Sequence, residues 1–507
     1  MWRRVGASVA SGLMLATAYP PLDLGPVALV ALVPLLWAWR GATPRRAALY
    51  GLCFGLAFFG IVLSWIWYFG AVAFAPLILA GGAYIAAPGA LTAGIDRLGV
   101  RSPLITAAAW TVFEQLRGRF PLGGLPWGET GAALHDFPIA RSIASWGGVA
   151  LVTFLVVAVN GLLVEILVAA RARQPRMAVW ATAGLAGIVA VVAGGHAFRY
   201  EPEPTARLRV AMVQGNDRNR ELTEEELASR YLVERHFGLA DGLEGRFDLI
   251  VFPESSLDTN PEQDEALRAR IVALADQHDS AVIVNALRPA PDGRSYNTNF
   301  LYQPDGDLDG TYAKQHLVPF GEYVPWRAQL GFLDELDQIP YDYAPGRGRR
   351  LFAVDGHPIA TIICFESAFA PLVRDYVNDG AELIVVTTNN RSYRRSGNAA
   401  QHLALSQMRA AETGRPVLHA SISGITGVVD ADGDVRNTTE LFVNEAVTDT
   451  ITTTTGDTPY VRYGDWMTWG SGALLVGAAL FGRLRRWPAR LTAAAESAAA
   501  AAPTARS

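Results

Sequence analysis

"ATIICFESAF" (residues 360–369) is the stretch from which the rest of the chain is read. Its first half is an apolar, β-branched run, as expected of a strand covered on both faces. Its second half has helical character. Between them stands Cys364, one of two cysteines in 507 residues. A buried structural thiol needs no such address, although an inert cysteine is the commoner fate of a lone one. A nucleophile does need it, because open α/β sheets bind ligands at strand ends. Backbone N–H groups at a helix start carry partial positive charge. They are expected to lower the thiol below its free pKa of about 8.5 and to hold an oxyanion.

Working outward, residues 205–452 alternate strands and helices. "LRVAMVQG", "DLIVFPES", "SAVIVNAL", "NTNFLYQPDG", "HPIATIICFES", "AELIVVTTN", "RPVLHASI" and "ITGVVDADGD" read as strands. Residues 223–242, 261–278, 368–379 and 398–413 read as helices. The expectation is a layered α/β domain with a mixed sheet. It carries no GxGxxG after a strand and no GxxxxGK, so no phosphate loop and no cofactor are expected. The eight histidines are scattered without ligand spacing, so no metal is expected either.

A thiol needs a base. Glu254 follows an apolar strand in "IVFPES" (250–255). A carboxylate in a pocket of low dielectric has a raised pKa and works as a base near neutrality. A structural acid near a helix start is the alternative. Lys314, in "YAKQHLVPFGEYVP" (312–325), is the chain's one lysine among 43 basic residues. A compact ammonium stabilises an oxyanion or holds a thiolate. Only a folded domain brings Glu254, Lys314 and Cys364 together.

The remainder is oily. Residues 1–200 carry long apolar runs, and residues 466–483 turn apolar again before an Ala-rich tail at 484–507. Candidate spans of about 20 residues fall at 5–19, 24–39, 47–69, 71–95, 102–117, 146–170, 177–197 and 466–482. The first also fits a signal peptide behind Arg3 and Arg4; the spans that follow at once favour an uncleaved helix. Arg-rich connections recur at 40–46, 96–101, 171–176 and 483–490, every second loop. By the positive-inside rule these face the cytoplasm and the α/β domain faces out. Glu114 and Arg117 share one helix face, read as a structural ion pair or a lipid-headgroup site. The net charge of −5, with no basic stripe, excludes a nucleic-acid footprint. Two cysteines exclude a disulfide framework.

The order Glu254, Lys314, Cys364, each in its own strand-end motif, resembles the nitrilase superfamily. "VQGN" (213–216), "FPES" (252–255), "HLVPFGEYVP" (316–325), "CFES" (364–367), "FEQLRGRFPLGGLPWG" (113–128) and "QHLALSQMRAAETGRP" (401–416) resemble, within it, the apolipoprotein N-acyltransferases. The resemblance spans nearly the whole chain. It implies an α-helical membrane bundle of about eight spans joined to an α-β-β-α sandwich. It implies a bacterial inner-membrane acyltransferase with its catalytic domain outside the cytoplasm. Cys364 would take an acyl chain from a membrane phospholipid as a thioester. The α-amine of an S-diacylglyceryl-cysteine lipoprotein would receive it. Glu254 would be the base and Lys314 the oxyanion partner. Glu322 and Glu366 match supporting positions, expected to orient Lys314 or the base.

The match departs at Phe365, where the family has Tyr, and at "DRNRELTEEEL" (217–227), which lacks a Trp. It also departs at "NRSYRR" (390–395) and "ASISG" (420–424). Arg391, Arg394 and Arg395 would meet anionic headgroups or form a solvated loop. Two rival readings are a membrane-tethered amidase and a membrane scaffold whose nitrilase-like domain only binds. Neither explains eight spans together with a complete Glu, Lys and Cys set.

Overall fold

The computed structural model describes residues 1–217, 223–333, 336–337 and 339–500. Residues 218–222 of the diverged stretch and 501–507 of the tail lie outside the described residues.

Among the described residues, twelve strands form two six-stranded sheets. The first sheet contains β1 (Glu203–Gln214), β2 (Leu249–Val251), β3 (Ala281–Pro289), β4 (Ser295–Tyr302) and β5 (Leu308–Ala313). The second contains β6 (Leu351–Val354), β7 (His357–Ile363), β8 (Leu383–Thr388), β9 (Val417–Ser421), β10 (Gly427–Val429) and β11 (Val435–Arg436). The last strand, β12 (Glu445–Thr455), returns to the first sheet and pairs antiparallel with β1 from Glu203↔Thr455 to Gln214↔Glu445. The orders are β12-β1-β2-β3-β4-β5 and β11-β10-β9-β8-β7-β6. Each sheet is parallel in its middle (β1, β2, β3; β7, β8, β9) and antiparallel outside it.

Side chains alternate across a strand, and the alternation sets the layers. Val210, Met212, Val251 and Ile283 of the first sheet join Ile359, Ile363 and Val385 of the second in one core. Ala211, Val213, Ile250, Val282 and Val284 point the other way, onto Phe237, Ile271 and Leu274 of the helices Tyr231–Ala240 and Glu265–His278. The helices Ala370–Asn378 and Asn398–Thr413 cover the second sheet. The result is an α-β-β-α sandwich. Strands β5, β11 and β12 carry no sequence signal of the kind that marks the interior ones. β12 reads "EAVTDTITTTT": on an edge only one face is buried, and Val447 and Ile451 are its only large apolar residues.

The N-terminal region is helical. Among the described residues, four helices have the length and apolar composition to cross a membrane: Pro44–Val62, Ala71–Arg97, Ala144–Arg171 and Pro175–Ala197. The other expected spans are helical but shorter or interrupted. Trp2–Ala16 and Pro103–Arg117 have 15 residues each, about 22 Å of rise against about 30 Å of hydrocarbon. Gly25–Trp39 is broken at Leu32, and Trp466–Ala500 begins where the last span is expected. Pro44 and Pro103 each open a helix behind a capping hydroxyl, Thr43 and Ser102. Asn160, a polar residue inside a span, repairs the break at Leu32. Its Oδ1 accepts from Leu32 N at 2.9 Å, and its Nδ2 donates to Ala28 O at 2.9 Å. Glu165 pairs with Arg40.

Glu114 and Arg117 do not form the expected pair. Both turn to the loop after their helix instead. Glu114 Oε2 accepts from Thr130 N at 2.9 Å and Thr130 Oγ1 at 2.8 Å, and its Oε1 accepts from Thr153 Oγ1 at 2.7 Å. Arg117 Nη1 donates to the carbonyls of Leu125 (2.7 Å) and Trp127 (2.6 Å). The loop's open backbone groups compete successfully for both side chains, and the loop is thereby tied back to its own helix.

The two parts interlock. Gly147 and Gly148 interrupt the helix Ala144–Arg171, and Gly148 has φ +69°. A Cβ there would stand 2.7 Å from the Tyr460 ring. Where the helix resumes, Val149 N donates to Glu412 Oε1 at 2.7 Å, so a carboxylate of the α/β domain caps a helix of the N-terminal region. Trp65 and Trp127 both donate to Gln401 Oε1, at 3.2 and 2.7 Å, and Gln401 Nε2 donates to Pro20 O at 2.9 Å.

Candidate active site

Glu254, Lys314 and Cys364 meet at the C-terminal ends of three strands, β2, β5 and β7. Glu254 lies three residues beyond β2, Lys314 directly follows β5, and Cys364 directly follows β7. The two strand-end carboxylate and amine positions belong to one sheet and the thiol to the other, so the site bridges the sandwich. Lys314 Nζ lies 3.4 Å from Glu254 Oε1 and 2.7 Å from Glu322 Oε1. The lysine side chain is 1 % exposed. The segment carrying Lys314 is pinned on both sides: its N–H donates to Asn297 O at 2.9 Å and its carbonyl accepts from Gly346 N at 2.7 Å. A Cβ on Gly346 would stand 2.0 Å from Ala313 O, so only glycine permits that approach.

Glu254 is held at both oxygens. Oε1 accepts from Asn297 Nδ2 at 2.7 Å, and Oε2 accepts from Asn389 N at 2.7 Å. Burial raises its pKa above the ordinary carboxylate range; Lys314 opposes and Glu322 adds to the rise. Burial alone would lower Lys314, but Glu254, Glu322 and Cys364 outweigh it and keep the ammonium charged.

Glu322 is not a solvated turn residue. Its Oε2 accepts from Val318 N at 2.8 Å while Oε1 takes the Lys314 ammonium. Glu366 does not touch the ammonium by a hydrogen bond. Its Oε1 accepts from Tyr312 Oη (2.8 Å), Gln315 N (2.7 Å) and His316 N (3.1 Å), and its Oε2 accepts from Ile363 N at 2.8 Å. One carboxylate thus laces the backbone just after Lys314 to the backbone just before Cys364.

Cys364 departs from expectation in its acidity. Burial, then the charge of Glu254, push its thiol up to about 12, against the pull of Lys314 and a hydrogen bond from Thr388. The expected helix start is a short 3₁₀ turn, Cys364–Ala368, with the α-helix beginning only at Ala370. No aligned helix dipole offsets the loss of water. The resting sulfur is therefore a protonated thiol, and a base is required. Cys364 has φ +53°, a conformation disfavoured for a residue with a Cβ.

Cys364 lines a cavity of about 310 Å³ whose walls come from both parts of the chain. Phe59, Leu77 and Leu125 come from the membrane region; Phe365, Tyr393 and Val318 come from the sandwich. Phe365 occupies the position where the family has Tyr, and packs edge-on to Phe369 at 4.9 Å. Of the diverged arginines, Arg391 pairs with Asp217 at 2.7 Å. Arg394 lies over the Tyr68 ring and Arg395 over Phe442.

Sequence reasoning passes over Asn297, Asn299 and Asn285. Asn285 Nδ2 donates to Asn297 Oδ1 (2.9 Å) and Asn299 Oδ1 (2.8 Å), and Asn297 carries Glu254. The signal was present: in "NTN" two amides share one face of an interior strand, and buried amides need partners. Among the described residues one group of metal-ligand types converges, Asp23, His135 and Asp136. Both ring nitrogens of His135 are already engaged, with Gln407 Oε1 at 2.7 Å and Asp23 Oδ1 at 2.9 Å. The group is a hydrogen-bonded tie between loop and sandwich.

Comparison with known proteins gives two family matches. Residues 11–162 match the apolipoprotein N-acyltransferase N-terminal domain, and residues 209–459 match the carbon-nitrogen hydrolase family. The chain is 34% identical over 500 residues to the apolipoprotein N-acyltransferase of Methylococcus capsulatus, covering 94% of this chain and 96% of that one. It is 30% identical over 499 residues to that of Geobacter metallireducens, covering 94% and 95%. Both matches run through the membrane helices and the sandwich alike, so the site and its apolar cavity are compared as one unit. The chain belongs to the apolipoprotein N-acyltransferase family.

Proposed function

We propose that this acyltransferase moves a fatty acyl chain from a membrane phospholipid, through a thioester on Cys364, to the N-terminal α-amine of S-diacylglyceryl-cysteine lipoproteins. The observation that carries the reading is the cavity: the Cys364 thiol shares one apolar space with side chains of the membrane helices. A soluble hydrolase would have to draw acyl chains into water at about 0.8 kcal/mol per CH₂. Here the acyl chain and the nucleophile meet without that transfer. Apolar walls also disfavour water, which would otherwise consume a thioester.

The chemistry follows from the charges. Glu254 takes the Sγ proton as sulfur attacks the ester carbonyl. Negative charge passes from carboxylate to sulfur to carbonyl oxygen, so no new charge is created in the buried site. The Lys314 ammonium faces that charge throughout. The tetrahedral intermediate collapses to the thioester, and the lysophospholipid oxygen leaves with the proton returned by Glu254. In the second half the lipoprotein amine attacks the thioester, Glu254 takes its proton, and Cys364 leaves as the thiol. Two easier steps replace one difficult one. Glu322 holds Lys314, and Glu366 holds the two segments that carry Lys314 and Cys364.

The Arg-rich connections support a cytoplasmic N-terminus in a bacterial inner membrane. On that topology residues 1–200 form the membrane domain, 205–452 the extracytoplasmic catalytic domain, 466–483 the last span and 484–507 a cytoplasmic tail. Mass spectrometry after incubation with phospholipid alone tests the mechanism. The expected result is an acyl adduct on the Cys364 peptide, discharged by a diacylglyceryl-cysteine peptide and only slowly by water. No adduct, or one that water clears equally fast, overturns it in favour of an amidase.

A further inference from the structure

His402 lies in "QHLALSQMRAAETGRP", on the helix Asn398–Thr413, and takes no part in the chemistry above. Its side chain is aimed at the nucleophile's backbone. Nε2 is 3.0 Å from Cys364 O and 2.8 Å from Ser367 Oγ. A carbonyl only accepts, so Nε2 carries the hydrogen and Nδ1 is the acceptor. Nδ1 faces Asn390 Nδ2 and Thr388 Oγ1, each at 3.3 Å. Thr388 in turn pulls the Cys364 thiol down, against the larger rise that burial causes. Burial pushes the His402 pKa down to about 4, with the Cys364 carbonyl opposing and Lys314 reinforcing, so the ring is neutral. Trp127 of the membrane-region loop packs against it, with ring centroids 5.7 Å apart.

Cys364 needs such a partner. Its φ of +53° is disfavoured for any residue with a Cβ and persists only where the surroundings impose it. The preceding N–H, on Ile363, is fixed by Glu366 at 2.8 Å. The following carbonyl, that of Cys364 itself, is fixed by His402, with Ser367 Oγ donating to the same oxygen at 3.1 Å. The turn is thus clamped from both sides. We propose that His402 is a positioning residue whose Nε2–H holds the Cys364 carbonyl and keeps the thiol in the left-handed turn that presents it to the cavity.

The proposal rests on Cys364 being the nucleophile, and the experiment separates the two. His402→Gln keeps a donor at nearly the reach of Nε2; His402→Asn is too short to make the bond. Both are compared in the full-length, detergent-solubilised protein by thermal unfolding, by kcat and KM for phospholipid acylation of Cys364, and by iodoacetamide alkylation of Cys364. Cys364→Ala is the control. The expected result is that Gln retains most of kcat, and Asn lowers kcat and the alkylation rate by about 10-fold or more with KM little changed. Equal behaviour of Gln and Asn overturns the proposal, as does a loss confined to unfolding temperature. Should Asn fail to fold, Gln decides alone: a folded His402→Gln protein with wild-type kcat and alkylation rate supports the clamp, and a folded but inactive one overturns it. Activity surviving in Cys364→Ala would sink the nucleophile assignment itself, whatever the His402 variants do.

Discussion

Lys314 Nζ sits closer to Glu322 Oε1, at 2.7 Å, than to Glu254 Oε1, at 3.4 Å. The lysine is anchored by one carboxylate and left within reach of the other. Glu322 also raises the pKa of Glu254. Replacing Glu322 by Gln removes a negative charge from the cluster, so Glu254 ionises more easily and becomes a weaker base. The expected outcome is an acid limb of the pH–rate profile displaced to lower pH, with the plateau rate down by about 10²-fold. An unmoved limb would show that Glu322 does not act on Glu254.

The acid limb of the wild-type protein has a definite sign. On the proposed mechanism Glu254 must be ionised to receive the thiol proton, and its pKa is raised chiefly by burial. Acyl-enzyme formation is expected to fall as pH drops through that raised value, at higher pH than for an exposed glutamate at about 4.3. Rapid-quench measurement of the acylated Cys364 peptide between pH 4 and 9 reads this limb.

Glu254→Gln is expected to separate acidity from catalysis. Glu254 is the second cause, after burial, of the thiol's rise to about 12. Without that charge the thiolate forms at lower pH. Iodoacetamide should therefore label Cys364 faster at pH 8–9 in this variant, while acyl transfer falls by about 10²–10⁴-fold. Slower labelling together with lost transfer would point to a structural effect.

Glu366→Ala leaves four donors around one buried carboxylate without an acceptor: Tyr312 Oη and the N–H groups of Gln315, His316 and Ile363. At about 1–3 kcal/mol for an unsatisfied buried group, the expected effect is a clear drop in unfolding temperature together with loss of activity. Differential scanning fluorimetry beside the acylation assay checks both. Activity lost at unchanged stability would assign Glu366 a more direct role.

Gln401→Leu tests the seam between the two parts of the chain. Trp65 and Trp127 both donate to Gln401 Oε1. Leucine strands two buried indole N–H groups at about 1–3 kcal/mol each. The expected signature is a lower unfolding temperature with red-shifted tryptophan emission, as water enters the seam. Wild-type emission and stability would show that packing alone joins the parts.

The sequence by itself determined the class of the molecule and named its candidate chemical residues. Long apolar runs and Arg-rich loops could belong only to a membrane bundle, because a bilayer imposes both length and charge asymmetry. Continuous apolar strands broken by helices meant a layered α/β domain with its strands covered on both faces; the sandwich was implied by the family resemblance. Glu254, Lys314 and Cys364 were legible because each ends a strand and because one lysine among so many arginines stands out. Edge strands such as β12 were not legible, since a half-solvated strand of threonines carries little periodic signal. Only the tertiary structure decided the partners. Glu114 and Arg117 share a face yet turn away from each other, because loop carbonyls and N–H groups compete for them. The thiol expected to be acidic is pushed up instead, because burial and Glu254 act together where no helix dipole is aligned. Spacing along a chain names the groups. Which of them share a dry, low-dielectric space, and so how their charges and protons are distributed, is a property of the folded surroundings.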